Sequence, residues 1–219
     1  VDEVARSVSD RGELVLRMRE DGSLELRANG VFVMDTVETS TEVALATRAL
    51  ALHHDPREVL VGGLGLGFTL EAILADERVY RVTVVELEAA LVTWMSEGTI
   101  PFGPSLLSDP RVVVETADVA HYLRVAPPSH YDLVLLDVDN GPGYLVHEAN
   151  GDLYREPLLE ECRRVTRPGG STVIWSASEA PELLTAMEAV FGRWRAEAVA
   201  FPVELQGREE QYWLYVGHV

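Results

Sequence analysis

The sequence predicts a doubly wound α/β domain on a mostly parallel sheet, preceded by a small N-terminal β-hairpin region. Three observations carry that expectation. From Glu58 onward, short apolar strands alternate with helical stretches. The strand cores are near-continuous runs, such as "VTVV" and "LVLL", as strands covered on both faces require. A glycine-rich turn, "GGLGLG", sits at the first strand-to-helix junction of that series.

The elements follow in order. "GELVLRMR" and "LELRANGVFVMD" flank the turn "EDGS" and partly alternate in polarity, which predicts a hairpin or meander from about Glu13 to Asp35. "TSTEVALATRALALHH" reads as a helix opened by a capping box of Thr39 and Glu42, with His53 and His54 in its last turn and Asp55-Pro56 ending it. This divides the chain into a hairpin region, 1–38, and a main domain, 39–219. Strand "EVLVGG" precedes helix "FTLEAILADE", and "YRVTVVE" precedes "LEAALVTWMSE". The loop "GTIPFGPSLLSDP" leads to strand "RVVVET" and the short helix "DVAHYLRV". Strand "YDLVLLD" runs into the loop "VDNGPGYLVHEAN"; helix "PLLEECRRVT" stops at "RPGG" before strand "STVIWSA". After helix "APELLTAMEAVFG", the stretches "WRAEAVAFPVE" and "EQYWLYVGHV" are expected to form an antiparallel edge pair.

Composition narrows the function. The chain has 219 residues, 47% of them hydrophobic, enough for a substantial core. No apolar run approaches the roughly 18–20 residues that span a bilayer, and the start "VDEVARSVSD" is too polar for a signal peptide. One cysteine, Cys162, excludes an internal disulfide and fits a reducing cytoplasm; within its helix it reads as a buried structural thiol. The net charge of −18 opposes nucleic acid and anionic membrane and favours a cationic partner. There is no lysine, so a P-loop and a Schiff-base nucleophile are excluded. No Cys-x-x-Cys, His-Glu-x-x-His or Gly-x-Ser-x-Gly occurs, so neither a metal site nor a hydrolase elbow is expected.

The chemistry gathers at the strand tips. Gly63, Gly65 and Gly67 follow the first strand of the series, where a ligand can lie against bare backbone. Their spacing is G-x-G-x-G rather than the dinucleotide G-x-G-x-x-G. The next strand ends in Glu86, about 20 residues on, where a carboxylate can accept both ribose hydroxyls. The third ends near Asp118, suited to an adenine amine or to an N-cap. The fourth ends in Asp137, an acid at the tip of a buried strand.

Together, "VLVGGLGLGFTLEAIL", "RVTVVELE", "DPRVVVETADVAHYL", "YDLVLLDVDNGPG" and "LYREPLLEECRRVTRPGG" resemble the spermidine synthase-like branch of the class I S-adenosylmethionine-dependent methyltransferase superfamily. The resemblance runs from about Glu58 to Trp175, and the N-terminal hairpin and helix are similar to that branch's small N-terminal domain. It implies a Rossmann-like fold and, as co-substrate, S-adenosylmethionine or its decarboxylated form, with no metal. Gly63, Gly65 and Gly67 would bracket the nucleoside and its sulfonium tail; Glu86 would hold the ribose and Asp118 would face the adenine. It also implies a homodimer, paired through the hairpin or a sheet edge.

The pattern departs from aminopropyl-transferring members in three places. They carry an Asp inside the glycine turn, where this chain has Leu66. Their N-terminal helix bears a Tyr-His-Glu-like element; "STEVALAT" keeps only Glu42. Their fourth strand ends in Asp-x-x-Asp-Pro; here Asp137 is followed by Asp139, a displacement of one residue, about 3.8 Å of chain. An amine must be neutral to attack a carbon beside sulfonium, so a carboxylate is expected to take its proton. Asp137 and Asp139 are the first candidates for that base, and His147 the next. Tyr144, Trp175 and Tyr154 are candidates for the acceptor pocket. The lead expectation is methyl transfer to a small, amine-bearing acceptor. Aminopropyl transfer to a diamine is the alternative, and a non-catalytic nucleoside-binding protein of the same fold is the third reading.

Overall fold

The computed structural model describes residues 1–138, 148–205 and 208–219. Four strands come first: β1 (Asp2–Ser9), β2 (Gly12–Met18), β3 (Leu24–Ala28) and β4 (Val31–Asp35), pairing in sequence order as one antiparallel sheet. Of the expected hairpin or meander, the meander is found: the stretch from Leu24 to Asp35 divides into β3 and β4, and β1 adds a strand ahead of the expected bounds. Strand β1 is acidic and largely exposed, so its sequence lacks the apolar alternation that marks a strand.

Helix α1 (Ser40–Ala51) leads into the alternating region. The capping box is not formed: Thr39 occupies the N-cap with no side-chain bond, and Glu42 accepts instead from the Thr41 hydroxyl at 2.6 Å. His53 and His54 lie just past the helix rather than in its last turn. The elements that follow are β5 (Glu58–Gly62), α2 (Phe68–Leu74), β6 (Arg81–Glu86) and α3 (Ala89–Ser96). Next come α4 (Gly103–Leu107), a short helix inside the expected loop, then β7 (Val112–Thr116), α5 (Val119–Val125) and β8 (Tyr131–Leu136). A 3-10 turn (Glu148–Tyr154) precedes α6 (Glu156–Val165), β9 (Thr166–Ser176), α7 (Pro181–Phe191), β10 (Ala196–Leu205) and β11 (Arg208–His218).

The second sheet has the order β10-β11-β9-β8-β5-β6-β7. Pairs among β9, β8, β5, β6 and β7 are parallel. The last two strands form the expected antiparallel pair, with β11 inserted against β9 and β10 on the edge. Strand order reverses between β5 and β8, which opens a crevice at their C-terminal ends.

Side chains along these strands alternate between two cores. Val59, Val61, Leu133, Leu135, Val173 and Trp175 face a core shared with α1, α2, α3 and the N-terminal sheet. Leu60, Val134, Leu136 and Ile174 face a second core with α5, α6 and α7. Both faces are apolar because both are covered. Cys162 is fully buried in the second core, and that burial pushes its thiol up to about 12, as for an inert structural cysteine. Among the described residues, no helix is long and apolar enough to cross a membrane.

Candidate active site

The tips of β5, β6 and β8 are laced together. Gly63 N–H donates to Val85 O at 2.9 Å, Asp137 N–H to Gly62 O at 2.8 Å, and Ala117 N–H to Glu86 O at 2.9 Å. This brings Gly63, Gly65, Glu86, Asp118 and Asp137, all expected from the sequence, to the wall of one cavity.

The three glycines differ in what they do. All have left-handed backbone: φ is +101° at Gly63, +51° at Gly65 and +91° at Gly67. A side chain at Gly63 would come within 2.1 Å of Asp137 O, so this glycine lets two strand tips touch. Gly67 stands apart from the cavity wall. It is the N-cap of α2, and a Cβ there would strike Leu106 and Met95 at 2.6 and 2.9 Å. The turn's N–H groups at Gly63, Leu64, Leu66 and Gly67 are bonded within the protein, the Leu66 one to Met34 Sδ at 3.2 Å. The turn thus offers close backbone approach rather than those four donors. Leu66 is fully buried and faces the core, so no acid stands in the turn at all.

Glu86 is buried at the end of β6. Its Oε2 accepts from Leu64 N–H at 2.8 Å and its Oε1 from Glu88 N–H at 2.7 Å. Burial raises its affinity for a proton, and these backbone bonds act against that. A carboxylate has about four acceptor sites, so two bonds leave capacity for a ribose diol. Asp118 caps α5 by accepting from Ala120 N–H at 2.8 Å, the N-cap expected of it, and also lines the cavity.

Asp137 has a different environment. Burial first, and then the nearby charge of Glu42, push its carboxyl up to about 7; a hydrogen bond from Thr69 Oγ1 to its Oδ2, at 2.9 Å, pulls the other way. Glu42, carried by α1, lines the same cavity and is itself raised by burial. Among the described residues neither acid has an arginine partner. A carboxylate held near neutrality in a cleft is suited to taking a proton.

The N-terminal sheet closes the cavity from above. Arg11, between β1 and β2, pairs with Glu88 at 2.7 Å and donates to Leu87 O at 3.2 Å, which fixes the sheet to the tip of β6. On the far side, a second hollow shares Val33, Met34, Thr41, Glu42 and Trp175 with the first and adds Glu38, Phe32 and Tyr212. Trp175 stacks on Tyr212 there, ring centroids 5.5 Å apart. Trp175 lines both hollows, whereas Tyr154 is buried in the second core. Asp139, His147 and Tyr144 lie outside the described residues. Sequence reading missed Thr69, Arg11 and Met34. No local pattern marks them, because each reaches a partner in a distant segment.

Known proteins resemble this chain in sequence and in fold. Putrescine N-methyltransferase 3 of Nicotiana tabacum is 30% identical over 118 residues, 53% of this chain and 29% of that protein. Polyamine aminopropyltransferase 2 of Pseudomonas aeruginosa is 33% identical over 134 residues, 59% of this chain and 36% of that protein. The chain therefore spans well under half the length of the curated relatives it matches. The crystal structure of spermidine synthase from Thermotoga maritima superposes with a TM-score of 0.76 at 16% identity, covering 99% of this chain and 72% of that one. The spermine/spermidine synthase domain matches residues 38–190, from the entry to α1 to the end of α7. That stretch holds every described acid at the strand tips, and by it the chain belongs to the spermine/spermidine synthase domain family.

Proposed function

We propose that this chain is an S-adenosylmethionine-dependent transferase that methylates a small amine. In this reading residues 39–219 form the donor-binding domain and residues 1–38 its cover. The observation that carries it is one cavity lined both by Gly63, Gly65, Glu86 and Asp118 and by the Asp137–Glu42 pair. Glu86 would hold the ribose, Asp118 the adenine amine, and Gly63 and Gly65 would lie under the tail. A sulfonium donor, when bound, supplies a carbon activated for in-line displacement. The acceptor nitrogen's lone pair forms the new N–C bond as the S–C bond breaks. The ammonium proton goes to Asp137, whose carboxyl, held near 7, is available as a base at neutral pH. The acidic wall of Glu42 and Glu38 attracts the cationic acceptor to the cleft.

Methyl transfer is preferred because the glycine turn has no acid to anchor a cationic aminopropyl tail. Aminopropyl transfer is kept as the second reading on the similarity to the aminopropyltransferase of Pseudomonas aeruginosa. Incubation with S-adenosylmethionine or its decarboxylated form, against a panel of mono- and diamines, separates the two by product mass. A methylated amine formed only with the first donor is the expected result. An aminopropylated product overturns methyl transfer, and donor binding without consumption of any amine overturns both.

A further inference from the structure

Thr47 in α1 donates its hydroxyl to Val43 O at 2.8 Å, and Thr185 in α7 to Pro181 O at 3.0 Å, the bond to the carbonyl four residues back that a helical threonine often makes. Thr41, in the first turn of α1, donates to the adjacent Glu42 at 2.6 Å. Thr69, in the first turn of α2, reaches outside its own helix. Its hydroxyl crosses to the tip of β8, 68 residues away in sequence, and donates to Asp137 Oδ2 at 2.9 Å. Thr69 is 3% exposed, and both side chains line the cavity.

We propose that Thr69 is a positioning residue for the base: by occupying Asp137 Oδ2 it fixes the carboxyl rotamer and leaves Oδ1 as the oxygen that takes the acceptor's proton. The inference rests on the proposed transferase reading and adds a residue and an atom to it. A hydroxyl has one proton to give, and an ionised carboxylate can only accept, so the direction of the bond is fixed. Among the described residues, the charged group that acts on Asp137 is Glu42 from α1, which favours the protonated carboxyl; Glu86 at the tip of β6 and Asp118 at the start of α5 line the same cavity. Among the described residues, the Thr69 hydroxyl is the side chain that favours the ionised, basic form.

The isosteric Thr69→Val keeps volume and removes the donor. Turnover should fall about tenfold, with donor affinity unchanged within about twofold. The acid limb of the rate profile should move upward by roughly half a pH unit or more. Thr69→Ser should restore both turnover and limb. A readout that needs no turnover is the carboxyl carbon-13 resonance of Asp137, identified by its absence in Asp137→Asn. Its titration midpoint should rise in Thr69→Val and return in Thr69→Ser. An unmoved midpoint, or a loss that serine does not repair, overturns the inference. If the wild type transfers no group but the midpoint shifts as stated, the transferase reading falls while the Thr69–Asp137 coupling stands.

Discussion

Strand β8 carries an aspartate near each end, and the two could hardly be housed more differently. Asp132, at the N-terminal end, is buried and fully compensated. Its Oδ2 accepts from Arg57 N–H at 3.0 Å and Glu58 N–H at 2.8 Å, and Arg167 pairs with it at 3.0 Å. Arg167 reaches it because β9 bulges: Tyr131 pairs with Thr166, but Leu133 pairs with Ser171. Asp137, five residues on, has one neutral hydroxyl donor and an acid for a neighbour. One end of the strand uses a charge to hold the sheet together; the other keeps a charge under stress. Among the described residues Asp137 has no counter-ion, an arrangement that suits a cleft carboxylate to proton transfer.

The contrast predicts opposite consequences for the same substitution. Asp137→Asn should lower turnover by about 100-fold to 10,000-fold, the usual contribution of a general base, while donor affinity holds; steady-state kinetics with calorimetry checks this, and retained turnover would make the two ends alike. Asp132→Asn should instead cost about 3 kcal/mol of stability, because it leaves Arg167 and two N–H groups poorly matched, with turnover per folded molecule unchanged. Denaturant titration reads that loss.

Glu86 lies between these extremes, since it holds two backbone N–H groups and, in the proposed reading, the donor ribose as well. Glu86→Ala should weaken donor binding by roughly 1.5–3 kcal/mol. It should also lower stability, because the Leu64 and Glu88 N–H groups lose their acceptor. Calorimetry and thermal melts on one sample separate the two losses, and unchanged affinity removes Glu86 from the donor site.

The pH dependence sharpens the comparison further. Asp137 binds its proton more tightly when folded, near 7, than in the unfolded chain, near the ordinary carboxylate value. Between those two values the folded state holds the extra proton, so this group's contribution to stability falls as pH rises through the window. Asp137→Asn should accordingly melt above the wild type at pH 8, and the gap should close toward pH 4. Activity runs the other way, increasing as pH passes 7 and the base ionises. Arg11→Ala should have the smallest effect. Its pair with Glu88 is partly exposed, 41% at the arginine and 16% at the glutamate, and worth roughly 0.5 kcal/mol, so donor affinity should drop by no more than about threefold.

Much of this was legible in the sequence, and the reasons for the remainder are physical. The apolar runs of β5, β6, β8 and β9 announced a doubly covered sheet, and the acids ending β6 and β8 stood out against them. Strand β1 did not, since it is held mainly by backbone pairing to β2 and exposes polar side chains. Glu42 looked like half of a capping box because i,i+3 spacing is local, whereas its neighbour Asp137 is 95 residues distant. The distinction between Asp132 and Asp137 was likewise hidden. Both sit at the margin of the same apolar run, and only the bulge in β9 supplies a cation to one of them.

The contact at Gly63 has an evolutionary corollary. With its missing side chain pressed toward the Asp137 carbonyl and the neighbouring Gly62 carbonyl bonded to the Asp137 amide, the turn and the strand tip form a single joint, which in the proposed reading is both the cradle for the donor and the mount of the base. Neither half can be retuned without disturbing the other. Diversification toward new acceptors is thereby channelled to the parts outside that joint, namely the N-terminal sheet, the first helix and the Trp175–Tyr212 wall.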